Sequence, residues 1–268
     1  MGAGATDPAA IAAHFLAARR AATGLSGYPG AFPQSLEDAY AVQDRAIAGW
    51  GGDILGWKVG RVNPPYEQRF GTDRLAGPIF AVALAPDEGV AEMPVFAEGF
   101  AAGEAEYLLR IGQAPPAGKT SFTLTEAADL IDAVHVGIEI ASSPLATINV
   151  LGPAAVVSDF GNNNGLLVGP EIPAWQDSGF EDWPVTLSID GVSAGHGVAA
   201  SFPDGAIGAA RFLFELMARR GIALTPGQWI SSGAVGGVHD ARAGQVVEAR
   251  FDDRAVVRCR LIPEAPEA

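Results

Sequence analysis

The sequence predicts an α+β fold in which a helical region precedes a core of antiparallel or mixed β-sheet. Two observations predict this class. Helical signals fill the first fifty residues, and short β-branched segments separated by turn residues fill most of the remainder. Because strands do not alternate regularly with helices, a doubly wound parallel sheet is disfavoured. We therefore divide the chain into a helical region, residues 1–52, and a β-rich domain, residues 53–268, which together form one globular unit.

Two helices account for the first region. Asp7 followed by Pro8 provides an N-cap and a proline at the first helical position, and Gly24 can end this helix. Ser35 caps the second helix, which the glycine pair at 51–52 ends. A loop rich in proline and glycine, residues 25–34, separates the two.

Three apolar segments of the second region predict strands. They are ILGWKVG at 54–60, EAEYLLRI at 104–111 and AVHVGIEIA at 133–141. Turn residues at Asp190-Gly191 and at 252–254 each predict a hairpin. One further helix is expected, capped by Asp204 and ended by Gly221.

Composition excludes several classes of protein. Hydrophobic residues make up 49% and charged residues 18% of the chain, as in folded proteins. The formal net charge of −14 disfavours nucleic acid and anionic membranes as partners, and no apolar run approaches the roughly 20 residues of a membrane helix. Cys259 is the single cysteine, so no internal disulfide can form. Since no signal sequence is evident either, we expect a cytoplasmic protein.

Glu104 and Glu106 are the first candidate functional residues. Side chains two apart in a strand share a face, so the two carboxylates should project side by side. A buried pair of like charges is costly unless a divalent cation neutralises it. The alternative is a solvent-facing strand with ordinary acidic residues.

Glu139 and Lys58 are further candidates, since each is a charged residue within an apolar strand. Glu139 requires a partner if it is buried, whereas an edge strand would expose it to water. Only two of the 17 basic residues are lysines, so Lys58 indicates a need for a compact charge or a group that can transfer a proton. Alternatively, Lys58 extends from its strand to solvent. His135 is interpreted as structural, and His196 and His239 lack zinc-site spacing.

The segment DFGNNNG, residues 159–165, is the last candidate. Small and amide residues in a loop allow a ligand to approach the backbone, although an ordinary Asx turn explains the same pattern.

Taken in order, these motifs resemble the 2-keto-4-pentenoate hydratase / 4-oxalocrotonate decarboxylase group of the fumarylacetoacetate hydrolase (FAH) superfamily. The resemblance begins at SLEDAYAVQDRAI and runs through GWKVG, FGTD, the E-x-E strand, IEIASSPL and DFGNNNGLLVG to GQWISSGAV and AGQVVEARF. It extends over nearly the whole chain from about residue 35, and its specificity lies in the order and spacing of the motifs.

The resemblance implies an FAH-like mixed β-sheet roll as the catalytic domain, with Mg²⁺ or Mn²⁺ held by Glu104, Glu106 and Glu139. It implies a metal-dependent lyase that acts on a small keto acid, with hydration of a 2-hydroxypenta-2,4-dienoate-like substrate as the leading activity. Lys58 is the catalytic candidate. The substrate-binding candidates are Arg61, Asp159, Asn162, Asn163 and Ser232. Members are usually oligomers, so we expect a homo-oligomer, which could also associate with a related decarboxylase or hydratase.

Departures from the family leave other activities open. Family hydratases often carry a second acid where this chain has Leu75-Ala76-Gly77, and Phe160 replaces an asparagine. The alternatives are a 4-oxalocrotonate-type decarboxylase, an acylpyruvate hydrolase or a non-catalytic partner subunit. Arg61 also departs from the family's usual leucine. If it points inward, it could bind a second carboxylate of a diacid.

Overall fold

The computed structural model describes residues 7–267. Its α-helices are α1 (Pro8–Ala21), α2 (Leu36–Trp50), α3 (Tyr66–Phe70), α4 (Leu124–Ala128), α5 (Ile148–Leu151), α6 (Pro153–Ser158) and α7 (Gly205–Arg220). Its strands are β1 (Gly56–Arg61), β2 (Arg74–Ile79), β3 (Val82–Leu84), β4 (Ala91–Val95), β5 (Phe100–Ile111), β6 (Ile131–Ser143), β7 (Asn163–Glu171), β8 (Val185–Ile189), β9 (Val192–Gly197), β10 (Trp229–Ser231), β11 (Val246–Phe251) and β12 (Ala255–Pro263). Short 3₁₀ helices lie at Phe160–Asn162, Trp175–Asp177, Phe180–Asp182 and Ala199–Ser201.

The strands form two mixed sheets, which confirms the predicted α+β class. A seven-stranded sheet has the order β2-β1-β10-β5-β6-β7-β3, and a five-stranded sheet has the order β4-β12-β11-β8-β9. The pairs β1–β10, β3–β7 and β4–β12 are parallel, whereas the other strand pairs are antiparallel. Long strands β5 and β6 form the centre of the larger sheet, where the candidate carboxylates lie.

One apolar core joins the sheets. Tyr107 on β5 is fully buried, and its ring packs edge-on against Phe180 and Phe251. The phenol donates a hydrogen bond to the carbonyl of Phe180 at 2.8 Å, so this buried polar group is satisfied. Apolar residues on alternate positions of β5 and β6 continue the core, which leaves the opposite faces of both strands for polar side chains.

The N-terminal helices pack together and are fixed to the sheet by buried polar contacts. As predicted, Asp7 accepts hydrogen bonds from the first turn of α1, and Ser35 caps α2. Gln43 on α2 donates to the carbonyls of Ala76 on β2 (3.0 Å) and Val157 on α6 (2.9 Å). The helical region therefore shares a core with the sheet, and residues 1–6, which begin the predicted region, lie outside the described residues.

Asp204 occupies the N-cap position of α7, as predicted, but its side chain forms no capping hydrogen bond. Asp204 has a left-handed φ of 59°, and its carboxylate forms an ion pair with Arg211. Glu181, distant in sequence, accepts hydrogen bonds from the backbone N–H groups of Ala206 at 2.6 Å and Ile207 at 3.2 Å. The cap is therefore a tertiary contact, which local sequence does not show. Gly221 ends the helix as expected.

Both predicted hairpins are present. Asp190 and Gly191 have φ values of 51° and 77°, as the two central residues of a type I′ turn require. Asp252, with φ 52°, begins the turn between β11 and β12. Across residues 7–267, no helix combines the length and apolar character needed to span a membrane.

Candidate metal and active site

Three buried glutamates meet where β5 pairs with β6. Glu104 lies directly opposite Glu139 in the antiparallel register, and Glu106 follows two residues along β5 on the same face. Their exposed fractions are 4%, 0% and 1% for Glu104, Glu139 and Glu106. One carboxylate oxygen from each residue lies within 4.8 Å of the other two. The structure thus brings together the three residues that the sequence predicted as metal ligands.

Neighbouring side chains fix two of these carboxylates. Glu106 Oε2 accepts a hydrogen bond from Ser231 Oγ and another from the N–H of Gly233 at 2.8 Å. Asn163 Nδ2 donates to Glu139 Oε1 at 2.8 Å. The carboxylate oxygens that remain are therefore held in defined positions for a further partner.

Lys58 is the nearby buried cation. It is 5% exposed, and its Nζ lies 2.9 Å from Glu139 Oε2. Burial alone lowers the pKa of Lys58, but the negative charges of Glu139, Glu104 and Glu106 outweigh it and raise the pKa above the ordinary value. Lys58 is consequently an ammonium group that can donate hydrogen bonds.

Lys58 does not balance the charge of the glutamates. Three ionised carboxylates and one ammonium group leave a net charge of −2. Burial raises the pKa of Glu104 to about 8. The charge of Lys58 partly opposes this rise, and the charge of Glu139 adds to it. Burial, together with the charges of Glu139 and Glu104, also raises the pKa of Glu106 well above its ordinary value. Without another cation, this cluster must bind protons near neutral pH.

The cluster fits a divalent metal ion. Three carboxylate oxygens within 4.8 Å of one another are close enough to share one cation, since hard divalent ions bind oxygen at about 2.0–2.6 Å. Glu106 Oε1 is buried, and no hydrogen-bond donor reaches it within residues 7–267. A charge of +2 would neutralise the surplus and give this oxygen a partner. Glu104, Glu106 and Glu139 are thus able to hold a metal such as Mg²⁺ or Mn²⁺.

A cleft of about 740 Å³ leads to the cluster. Lys58 and Glu104 are part of its wall near the carboxylates, and Arg61 and Asn162 line it as well. The volume is sufficient for a small organic acid. Two of the substrate-binding candidates, Arg61 and Asn162, therefore face a space that a substrate can enter.

The other candidates lie elsewhere. Asn163 contacts Glu139 and not the cleft, so it positions a carboxylate. Ser232 lies in the chain between Ser231 and Gly233, the two residues that hydrogen-bond to Glu106. It is buried, and its side chain does not line the cleft. Asp159 also lies away from the cleft. Arg19 and Ser143 donate hydrogen bonds to its carboxylate oxygens. Asp159 is therefore not placed to contact a substrate in the cleft, contrary to the prediction.

A strained turn fills the region near Ala76, where family hydratases often carry an acid. Phe160, Gly161 and Asn162 all have left-handed φ values, 53°, 67° and 67°. A Cβ on Gly77 would approach the carbonyl oxygen of Phe160 to 2.2 Å, and a Cβ on Gly161 would lie 3.1 Å from Lys58 Cδ. The turn therefore packs closely against β2 and against Lys58, and it leaves no room for a side chain at position 77. Backbone strain of this kind is concentrated at functional sites.

Several residues beyond those predicted from the sequence line the cleft. His196, whose spacing does not fit a zinc site, lies on β9 and lines the cleft. The glycines on either side of it pack so closely on residues 235–236 that added Cβ atoms would lie 2.1–2.4 Å from carbonyl oxygens. The pattern Gly-His-Gly was the available signal. Tyr66, Asn149 and Phe202 also line the cleft, and nothing local to their sequence indicates this.

Comparisons with known proteins identify the fold. Neither a sequence-family model nor a curated protein matches the chain. Among solved structures, 4-oxalocrotonate decarboxylase from Pseudomonas putida G7, complexed with magnesium and adipate, matches with a TM-score of 0.79 and 18% identity over 95% of this chain and 97% of that one. Fumarylpyruvate hydrolase from Pseudomonas aeruginosa, in complex with Mn²⁺ and pyruvate, matches with a TM-score of 0.55 and 16% identity over 78% and 89% of the two chains.

A third match, 2-hydroxyhepta-2,4-diene-1,7-dioate isomerase from Mycobacterium marinum, has a TM-score of 0.55 and 16% identity over 80% of this chain and 77% of that one. The match to the decarboxylase has the higher score and covers more of this chain, so the similarity extends to the N-terminal helices. The chain therefore has the fold of the FAH superfamily, in the form that 4-oxalocrotonate decarboxylase adopts.

Proposed function

We propose that this protein is a metal-dependent lyase that acts on a small 2-keto acid or its 2-hydroxydienoic tautomer, with hydration as its leading reaction. The observation that carries the proposal is the buried cluster of Glu104, Glu106 and Glu139 beside Lys58, at the wall of a cleft large enough for such a substrate. The fold similarity to enzymes of small keto acids supports it.

In this proposal the glutamates hold a divalent metal ion. When bound, the ion supplies Lewis-acid polarisation of the oxygen atoms of a keto acid. Asn163 keeps Glu139 in place, and Ser231 and Gly233 keep Glu106 in place, so the ligands need little rearrangement. The surplus negative charge of the cluster attracts a divalent cation more strongly than a monovalent one.

Lys58 acts on the substrate itself. Its Nζ is an ammonium group next to Glu139 and borders the cleft. It can bind the substrate carboxylate, or give a proton to carbon while the proton of the enol hydroxyl is taken up in its place during the interconversion of enol and keto forms. A bound cation would favour this transfer, because it offsets the carboxylate charges that hold the proton on Lys58. Asn162, whose side-chain oxygen is buried and has no partner within residues 7–267, can orient a polar group of the substrate or the attacking water.

Decarboxylation is the second candidate reaction. The observation that favours it is the match to 4-oxalocrotonate decarboxylase along 95% of this chain. Hydration and decarboxylation would use the same residues at the keto-acid end, so the two candidates differ in what happens to the rest of the substrate.

Purified protein incubated with Mg²⁺ and 2-hydroxypenta-2,4-dienoate tests the leading reaction. We expect the ultraviolet absorbance of the diene to disappear without release of carbon dioxide, and EDTA to abolish the change. Release of carbon dioxide from 4-oxalocrotonate would instead support decarboxylation. Glu106→Gln should lower the rate by at least about 100-fold because a metal ligand is lost.

Glu37→Gln, which removes an exposed carboxylate on α2, is the matched control and should retain activity. Turnover that persists in EDTA, or that Glu106→Gln leaves unchanged, would contradict the proposed role of the metal. The absence of turnover with any keto acid, alone or with a related enzyme added, would favour a non-catalytic subunit. We also propose that the protein forms a homo-oligomer, which light scattering of the purified protein can measure.

A further inference from the structure

His196 differs from the other histidines of the chain in having a free imidazole ring. His14, His135 and His239 each place a ring nitrogen 2.7–2.9 Å from a backbone carbonyl oxygen. Within residues 7–267, no hydrogen bond or ion pair joins the ring of His196 to another residue. Its side chain is exposed on β9 and lines the candidate active-site cleft. Both ring nitrogens are therefore available to a substrate or to water.

The backbone around His196 fixes the direction in which its side chain projects. The β8–β9 register shifts next to Ala194, so a β-bulge lies two residues before His196. Bulges redirect the side chains beside them and are common next to active sites. Gly195 and Gly197 flank the histidine, and a Cβ at either position would lie 2.1–2.4 Å from a carbonyl oxygen of segment 235–236. The strand is thus held tightly against this segment on both sides of the imidazole.

The same contacts place His196 near the far end of a small substrate. The N–H of Val235 donates to the carbonyl of Ala105 at 3.0 Å, and Ala105 lies between two of the buried glutamates on β5. Segment 235–236 is therefore a neighbour of β5, and β9 packs against that segment in turn. Two strand spacings of about 4.8 Å put the backbone of His196 about 10 Å from that of β5. A five-carbon acid bound at the glutamates can span much of this distance within the cleft.

The cleft contains few groups that can exchange a proton with a substrate. Among residues 7–267, its ionisable side chains are those of Lys58, Arg61, Tyr66, Glu104 and His196. The charges of the glutamates keep Lys58 protonated, so it is not a base, and Glu104 is a proposed metal ligand. Arginine stays protonated in proteins, and a phenol accepts protons poorly. Imidazole, by contrast, both accepts and donates a proton near neutral pH.

From this geometry we propose that His196 is the catalytic base that activates the attacking water during hydration. The inference rests on the proposed function, which supplies the 2-keto-3-enoate tautomer of the substrate. As the water oxygen forms a bond to C4, a ring nitrogen of His196 takes one proton from the water, and the electrons of the C3–C4 double bond move toward the 2-oxygen. These electrons then return to C3, which receives the proton from His196. One molecule of water is thereby added across C3 and C4, and the imidazole returns to its initial state.

Hydration of 2-hydroxypenta-2,4-dienoate by His196→Ala and His196→Gln, each loaded with Mg²⁺, tests this role. We expect kcat to fall at least about 100-fold in both variants with little change in KM, because a positioned base typically contributes a factor of this size. Imidazole added to the solution should raise the rate of His196→Ala by about tenfold or more, which a merely structural role would not produce. Affinity for Mg²⁺, measured by calorimetry, should stay at the wild-type value in both variants.

His14→Ala is the matched control, since His14 is exposed on α1 and lies outside the cleft. It should retain the wild-type rate. If the His196 variants keep the wild-type kcat, or if imidazole does not restore activity to His196→Ala, the inference is overturned while the proposed function stands. Wild-type protein that decarboxylates 4-oxalocrotonate but does not hydrate the dienoate would also overturn it, because decarboxylation requires no attacking water. The absence of turnover with any keto acid would overturn the proposed function as well.

Discussion

Segment 159–164 contacts two buried ion pairs in this protein, and the pairs differ in how completely their polar atoms are satisfied. In the first, Arg19 on α1 contacts both oxygens of Asp159 at 2.6 and 3.0 Å. Ser143 donates to the same carboxylate, and Asn164 accepts from the guanidinium. In the second, Lys58 faces Glu139 with two more carboxylates beside it.

The difference separates structure from function. The Arg19–Asp159 pair has one charge of each sign and partners on both sides, as expected of a contact that fixes a helix to a core. The Lys58–Glu139 pair has surplus negative charge and a carboxylate oxygen without a donor. A protein tolerates such an arrangement where a ligand completes it. The two pairs should therefore respond differently to substitution, to pH and to the metal.

Asp159→Asn should have the largest effect. It leaves the charge of Arg19 buried without a counterion, so we expect the free energy of unfolding to fall by about 3–5 kcal/mol. Urea denaturation with and without Mg²⁺ measures this loss. The double variant Arg19→Met with Asp159→Leu should recover much of the stability, because an apolar pair requires no counterion. A loss below about 1 kcal/mol in the single variant would show that the pair is not structural.

Glu106→Gln should have the opposite profile. It removes one of the surplus negative charges, so the metal-free protein should be as stable as the wild type or more stable. Affinity for Mg²⁺ should fall by at least about 100-fold, since loss of a ligand costs more than loss of the group that orients it. Calorimetry and thermal melting with and without Mg²⁺ provide the two readouts. A large loss of stability with unchanged metal affinity would reverse the assignment.

Stabilisation by Mg²⁺ should increase with pH. The pKa of Glu104 is raised to about 8 from an ordinary value of 4.5, so the metal-free fold holds a proton that the unfolded chain has released. This contribution to stability is fully present below about pH 4.5 and is lost as the pH rises through about 8. Metal binding requires the deprotonated form.

The difference in melting temperature between Mg²⁺ and EDTA should therefore grow from pH 6 to pH 8.5. Affinity for Mg²⁺ should change by up to about tenfold per pH unit for each proton displaced. Glu106→Gln should flatten this dependence. A difference that is constant across the range would indicate carboxylates that are already ionised in the metal-free protein.

Sequence alone predicted the parts of this comparison that depend on strand alternation. The period of two placed Glu104 and Glu106 on one face and Tyr107 on the other, and the apolar surroundings of Glu139 and Lys58 marked them as exceptional. The helix caps at Asp7 and Ser35 were likewise local signals. The register that sets Glu104 opposite Glu139 was not available, because strand pairing is not encoded in either strand alone.

Contacts between distant segments account for what the sequence did not show. Asp159 belongs to a motif of the candidate site, yet its partner Arg19 lies 140 residues away on a helix for which the sequence indicates no functional residue. Glu181 caps α7 from 25 residues upstream, and His196 reaches the cleft through the packing of β9. Residue type and spacing identify such groups as polar and exceptional, but only the tertiary structure assigns their partners.

Adjacent asparagines at the start of β7 provide the finest test of the comparison. Asn163 donates to Glu139 at 2.8 Å, whereas Asn164 accepts from Arg19 at 3.2 Å and donates to Pro94 and Glu264. Successive side chains of a strand point to opposite faces, so one residue serves the metal cluster and its neighbour serves the structural pair.

Asn163→Ala should lower the affinity for Mg²⁺ by about tenfold, because Glu139 loses the donor that orients it. Asn164→Ala should lower the free energy of unfolding by about 1–2 kcal/mol and leave the affinity for Mg²⁺ unchanged. Calorimetry and urea denaturation of both variants form a two-by-two comparison. Since the substitutions are chemically identical and one residue apart, equal effects on both quantities would mean that the two ion pairs behave as a single network, and the division between a structural pair and a functional one would fail.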